Sequence, residues 1–125
     1  MLCRPTMHRA CANLGAAIVL AVAACSAQAH AIVISSQPAA GAVVKQKDAP
    51  IELRFNSRID HRRSRLFLIR PDGTRSELVI LEQTRPDVVA AHAGELIPGS
   101  YRVHWQVLSV DGHITRGDIP FSVAQ

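Results

Sequence analysis

From position 30 onward the sequence predicts an all-β domain. The expected architecture is a small Greek-key β-sandwich, immunoglobulin-like or cupredoxin-like, of about seven strands. Three observations predict it. Short β-branched and aromatic segments alternate apolar with polar positions. Clusters of Pro, Gly, Asp and Ser separate them. No segment sustains the 3.6-residue period of an amphipathic helix. A small barrel is the second architecture that fits this pattern.

Each element has its own justification. Ala31–Ser35 is apolar and β-branched, and Gln37-Pro38-Ala39-Ala40-Gly41 breaks it. Ile51-Glu52-Leu53-Arg54-Phe55 alternates strictly, so Ile51, Leu53 and Phe55 share a buried face. Leu66–Arg70 is a strand closed by Pro71-Asp72-Gly73-Thr74. Proline presets φ there and glycine accepts a positive one, so a hairpin returns through 76–81. Val88–Ala91 is a weaker strand. In 100–108, Tyr101, Val103, Trp105 and Val107 face one way and Arg102, His104 and Gln106 the other. Ile119, Phe121 and Val123 alternate in the last strand. The single tryptophan, Trp105, is expected in the core.

Residues 1–29 read as a cleaved secretory signal peptide, which directs the domain, 30–125, to export. Arg4, His8 and Arg9 form a basic start, and Leu14–Ala24 is uncharged and apolar. That run falls well short of the ~20 residues that span a bilayer. Ala27-Gln28-Ala29 is an A-x-A cleavage site. An alternative, Val22-Ala23-Ala24-Cys25, would attach lipid to Cys25 and leave His30 without a free amine. All three cysteines and both methionines lie in 1–29. The remaining domain has no disulfide, no thiolate ligand and no thioether to act as a soft metal ligand.

The formal charge of +4 falls to +2 without Arg4 and Arg9, which gives no nucleic-acid signature. Arg58, Arg62, Arg63 and Arg65 cluster locally and read as a solvated loop face. The domain is expected to be a monomer.

Cleavage after Ala29 makes His30 the first residue. An N-terminal histidine offers its α-amine and ring Nδ1, which close a six-membered chelate ring on a metal. Asp111-Gly112-His113 supplies a second imidazole and a carboxylate. Nitrogen and oxygen donors in this mixture suit copper(II). If the segment is extended, Asp111 and His113 project the same way; if it turns, Gly112 permits a tight loop. Neither donor is expected in the core. His61, His92 and His104 are expected away from the metal, the first two solvated and the third on the sheet face opposite Trp105.

The chain resembles the periplasmic copper-resistance protein C (CopC) family along the whole of 30–125. His30-Ala31 with Ser35-Ser36-Gln37-Pro38-Ala39-Ala40-Gly41 looks like the family's opening, and Ile51–Phe55 like its second strand. The stretch from Tyr101 to His113 looks like its most specific segment, and Gly117–Val123 like its closing strand. The resemblance implies a Greek-key sandwich binding one copper(II) ion through His30, Asp111 and His113. It also implies exchange with a membrane copper transport protein. The sequence departs from the family twice. Some members carry a methionine-rich copper(I) site, for which this domain has no methionine. Many carry a carboxylate shortly after the strand matching Ile51–Phe55, where this chain has Ser57, with Asp60 further on.

Two other functions fit parts of the pattern. A histidine brace also builds the copper oxidase site of polysaccharide monooxygenases, but Asp111 would fill a coordination position that oxygen chemistry needs open. A sandwich can also serve as a metal-free interaction module. No nucleophile, base and acid are grouped for hydrolysis, so the chain is not expected to be an enzyme.

Overall fold

The computed structural model describes residues 30–83 and 85–124. The expected signal segment, with its cleavage site and Cys25, lies outside the described residues. Two sheets form a sandwich. Strands β1 (Val33–Gln37), β3 (Asp48–Phe55) and β6 (Val88–Glu95) make one sheet in the order β1-β3-β6. Strands β2 (Val43–Val44), β4 (Ile59–Ile69), β5 (Arg75–Leu78), β7 (Gly99–Ser109) and β8 (Ile114–Val123) make the other, ordered β2-β8-β7-β4-β5. The chain changes sheet at every connection except the hairpins β4–β5 and β7–β8. All pairs are antiparallel but β2 and β8, which run parallel.

Alternation builds the core. Ile51, Leu53 and Phe55 from β3 meet Leu66 and Leu68 from β4 and Tyr101, Val103, Trp105 and Val107 from β7. The Phe55 and Trp105 rings meet edge to face, centroids 5.3 Å apart, and Tyr101 stacks on Phe121 at 5.4 Å. Such aromatic pairs add about 1 kcal/mol beyond their buried area. The Tyr101 hydroxyl stays satisfied, donating to Ile97 O at 2.8 Å and accepting from Ile97 N–H at 3.1 Å. Gly117 lies opposite Trp105, and a Cβ there would stand only 2.4 Å from the indole Cζ2. Glycine is therefore a packing requirement of the tryptophan.

The structure lengthens several expected strands. β4 begins at Ile59 rather than Leu66, because a register shift between Asp60 and Arg65 keeps it paired with β7 across the arginine cluster. Arg62, Arg63 and Arg65 are thus exposed strand residues, not a loop. The Asp60 carboxylate holds this bulge by accepting from Arg62 N–H and Arg63 N–H. β6 runs to Glu95 and β8 starts at Ile114. β1 is shifted toward Gln37, and the two-residue β2 was not expected.

Candidate metal centre

The three expected donors come from the two ends of the domain, and the fold brings them to one edge of the sandwich. Ala31 is inward and buried, 3% exposed, which anchors the entering chain. Asn56, just past β3, grips the next residue on both sides. Ile32 N–H donates to Asn56 Oδ1 at 2.8 Å, and Asn56 N–H donates to Ile32 O at 3.0 Å. Thr115 Oγ donates to Ala31 O at 3.3 Å, tying the entry to β8. Val110 N–H donates to Arg58 O at 3.1 Å, tying the β7–β8 turn to the β3–β4 connection.

These ties place the His30 ring against the His113 ring, centroids 5.9 Å apart and inclined at 64°. The Asp111-Gly112-His113 segment turns rather than extends. Gly112 has φ +93°, a backbone state that glycine adopts without strain. Gly112 N–H donates to Ser109 O at 2.9 Å, and Ser109 N–H donates to His113 O at 2.9 Å, closing the turn.

The Asp111 carboxylate divides its two oxygens. Oδ1 accepts from Ser109 Oγ at 2.7 Å and from His113 N–H at 3.2 Å. Oδ2 faces His113 Nδ1 at 3.2 Å. The Ser109 hydroxyl, then the His113 backbone and ring, lower the Asp111 carboxyl from its ordinary 3.8 to about 2. The carboxylate is therefore an anion throughout the neutral range. Side chains of Asp111 and His113 remain 37% and 45% exposed, so the edge is open to an incoming ion. As expected, neither donor is in the core. Asp111 nonetheless helps fold its turn, because its oxygen is bound to the buried Ser109.

Among the described residues, no set of three or more His, Cys, Asp or Glu side chains is gathered closely enough to hold a metal ion unaided. In the uncut chain the His30 α-nitrogen is a peptide nitrogen. Two imidazoles and one carboxylate are brought together at the edge; a free amine at His30 would add a further nitrogen beside them.

The other described histidines lie elsewhere. His61 is not solvated as expected: it is half-buried in β4, and its Nε2 donates to Val88 O. His92 is exposed on β6. His104 is on the outer face of the five-stranded sheet, its Nδ1 3.0 Å from Asp118 Oδ1, opposite in sense to Trp105. The Ser57 hydroxyl is buried and has no hydrogen-bond partner among the described residues. Sequence reasoning missed Asn56 and Ser109. Only the Asp-x-x spacing of a turn hinted at the second.

The CopC domain profile matches residues 33–124. The chain belongs to the CopC domain family. It is 34% identical over 101 residues to Protein YobA of Escherichia coli strain K12, covering 78% of this chain and 82% of YobA. It is 25% identical over 100 residues to the Copper transport protein CutJ of Bacillus subtilis, covering 78% of this chain and 18% of CutJ. Among solved structures, CopC from Methylosinus trichosporium OB3b superposes with a TM-score of 0.68 at 30% identity, covering 75% of this chain and 93% of that one. PcoC, a methionine-rich copper resistance protein from Escherichia coli, superposes with a TM-score of 0.60 at 25% identity, covering 77% and 100%. Unlike a methionine-rich relative, this CopC-family chain has two methionines, Met1 and Met7.

Proposed function

We propose that the processed chain is a periplasmic copper(II)-binding protein that sequesters the ion or passes it to a membrane copper transport protein. One ion binds per chain, held by the His30 amine and ring, the His113 imidazole and the Asp111 carboxylate. The observation that carries this reading is the meeting of His30 and His113 beside an anionic Asp111 at one open edge. The copper resistance and copper transport proteins among its relatives support copper as the cargo. Nitrogen and oxygen donors with no sulfur favour the divalent over the monovalent ion.

The chain's own residues do three things in this role. His30 supplies a two-nitrogen chelate, His113 approaches from the β7–β8 turn, and Asp111 offsets part of the metal's charge. In this reading the protein acts as a carrier of the ion. The test is to identify the first residue of the exported protein by mass spectrometry, then titrate it with copper(II) against a competing chelator. A protein starting at His30 with one tight equivalent is expected. A start at Cys25 with attached lipid, or no tight copper(II), would overturn the reading.

A further inference from the structure

Ser109 closes β7 and is 2% exposed. Its backbone is fixed on two sides. It pairs with Ile59 of β4, and its N–H and C=O bond to His113 and Gly112 within the turn. Its hydroxyl therefore has a fixed origin and a restricted reach. Two oxygens lie within that reach, Asp111 Oδ1 at 2.7 Å and His113 O at 3.0 Å, and the one hydroxyl proton goes to the nearer, charged acceptor. Asp111 Oδ1 then has two donors, the Ser109 hydroxyl and His113 N–H. Oδ2 has neither, and it is the oxygen turned toward the His113 ring.

We propose that Ser109 is a positioning residue of the copper site: its buried hydroxyl holds Asp111 Oδ1 so that Oδ2 alone is offered to the metal. The proposal rests on the reading of His30, Asp111 and His113 as copper(II) donors. A carboxylate free to rotate can present both oxygens or swing into water. Here the fold has already chosen the oxygen and its direction, and a two-oxygen grip would have to break hydrogen bonds to a buried hydroxyl and to the turn backbone. Groups that orient a metal ligand in this way commonly contribute about 10–100-fold to metal affinity.

The test uses the exported, processed protein and copper(II) itself. Ser109→Ala should lower copper(II) affinity about tenfold and alter the electron paramagnetic resonance spectrum. Ser109→Thr, which keeps the hydroxyl, should restore both. In an Asp111→Ala background, Ser109→Ala should have no further effect on affinity, because its influence runs through the carboxylate. Unchanged affinity and spectrum in Ser109→Ala would overturn the proposal. So would an equal loss in the Asp111→Ala background, which would make Ser109 a purely structural residue. Should Ser109→Ala not fold, Ser109→Thr decides: parental binding supports the role, and a tenfold loss in folded protein overturns it. An Asp111→Ala protein that binds copper(II) normally would instead sink the donor assignment on which the proposal stands.

Discussion

Two turns of this molecule begin from almost the same three residues. Asp72-Gly73-Thr74 joins β4 to β5, and Asp111-Gly112-His113 joins β7 to β8. In both, the aspartate Oδ1 accepts the backbone N–H two residues on, at 2.9 Å in the first and 3.2 Å in the second. In both, the glycine takes a positive φ, +86° and +93°. In both, hydrogen bonds lower the aspartate pKa. They differ in what the third residue does. Thr74 returns its hydroxyl to the same Oδ1, at 2.7 Å, and completes a self-contained turn. His113 turns its ring to the other oxygen, and beyond it stands His30 from the far end of the domain. The local chemistry builds a turn in each case. Only the second turn has a histidine from the entering chain delivered beside it, which is what the proposed copper edge requires.

The comparison breaks most sharply at the N-terminus. In the proposed processed protein, adding one residue before His30 removes the free amine while leaving both turns intact. Copper(II) affinity should fall by orders of magnitude, with a changed paramagnetic resonance spectrum and an unchanged melting temperature. An extended protein that binds normally would show that the distant strand contributes no amine.

His113→Ala comes next. It removes one imidazole, so copper(II) affinity should fall at least about 100-fold, while His104→Ala leaves it nearly intact. The reciprocal change, Thr74→His, gives the first turn the third residue of the second. It should create no copper site, because no described residue brings a second histidine to that turn. Copper titration of the three variants decides the matter, and a second tight equivalent in Thr74→His would refute the role given to long-range placement.

Gly73→Ala and Gly112→Ala should behave alike in the metal-free protein. Each forces a Cβ into a left-handed backbone at a cost of about 1 kcal/mol, with open space around it in both cases. Only Gly112→Ala should also weaken copper binding. Thermal melts with and without copper(II) separate the two effects.

The smallest effect concerns acid. The Asp111 carboxyl is held at about 2, below its unfolded value, so it contributes stability that is full above the unfolded pKa and lost as pH falls through about 2. Asp111→Asn should remove that portion of the acid dependence from the metal-free protein. Asp72→Asn should do the same for the lowered Asp72 carboxyl, without touching copper affinity. Melting temperatures followed from pH 5 downward test both, and an Asp111→Asn profile parallel to the parent would count against the Ser109 hydrogen bond in solution.

Much of the fold was legible because alternation is a local signal. Ile51, Leu53 and Phe55, and Tyr101 to Val107, declare their buried face within one strand, and the structure buries them. The Pro-Asp-Gly-Thr hairpin was equally local. The early half of β4 was hidden, because an arginine run around a bulge carries no alternation. β2 was hidden because two residues cannot show a period. His30, Asp111 and His113 could be named from residue chemistry and family resemblance. Their meeting depends on Asn56, Thr115 and Arg58 O gripping distant backbone, contacts that span 24 to 84 positions in the first two cases. Ser109 was invisible for a related reason: a serine at a strand end acquires meaning only when its burial and its neighbour's oxygen are known.

The packing of Trp105 gives this protein a built-in optical reporter. It is the chain's one tryptophan, 8% exposed, wedged between the Phe55 ring and the bare backbone of Gly117. Its emission should be blue-shifted when folded and red-shifted on unfolding, with no contribution from any second indole. Trp105 stands on the same strand as Ser109, about 13 Å away at the usual strand rise. Copper(II) at the proposed site should dim that emission through its partly filled d shell, whereas a closed-shell divalent ion there should not. One cuvette can thus follow both folding and loading, without a label.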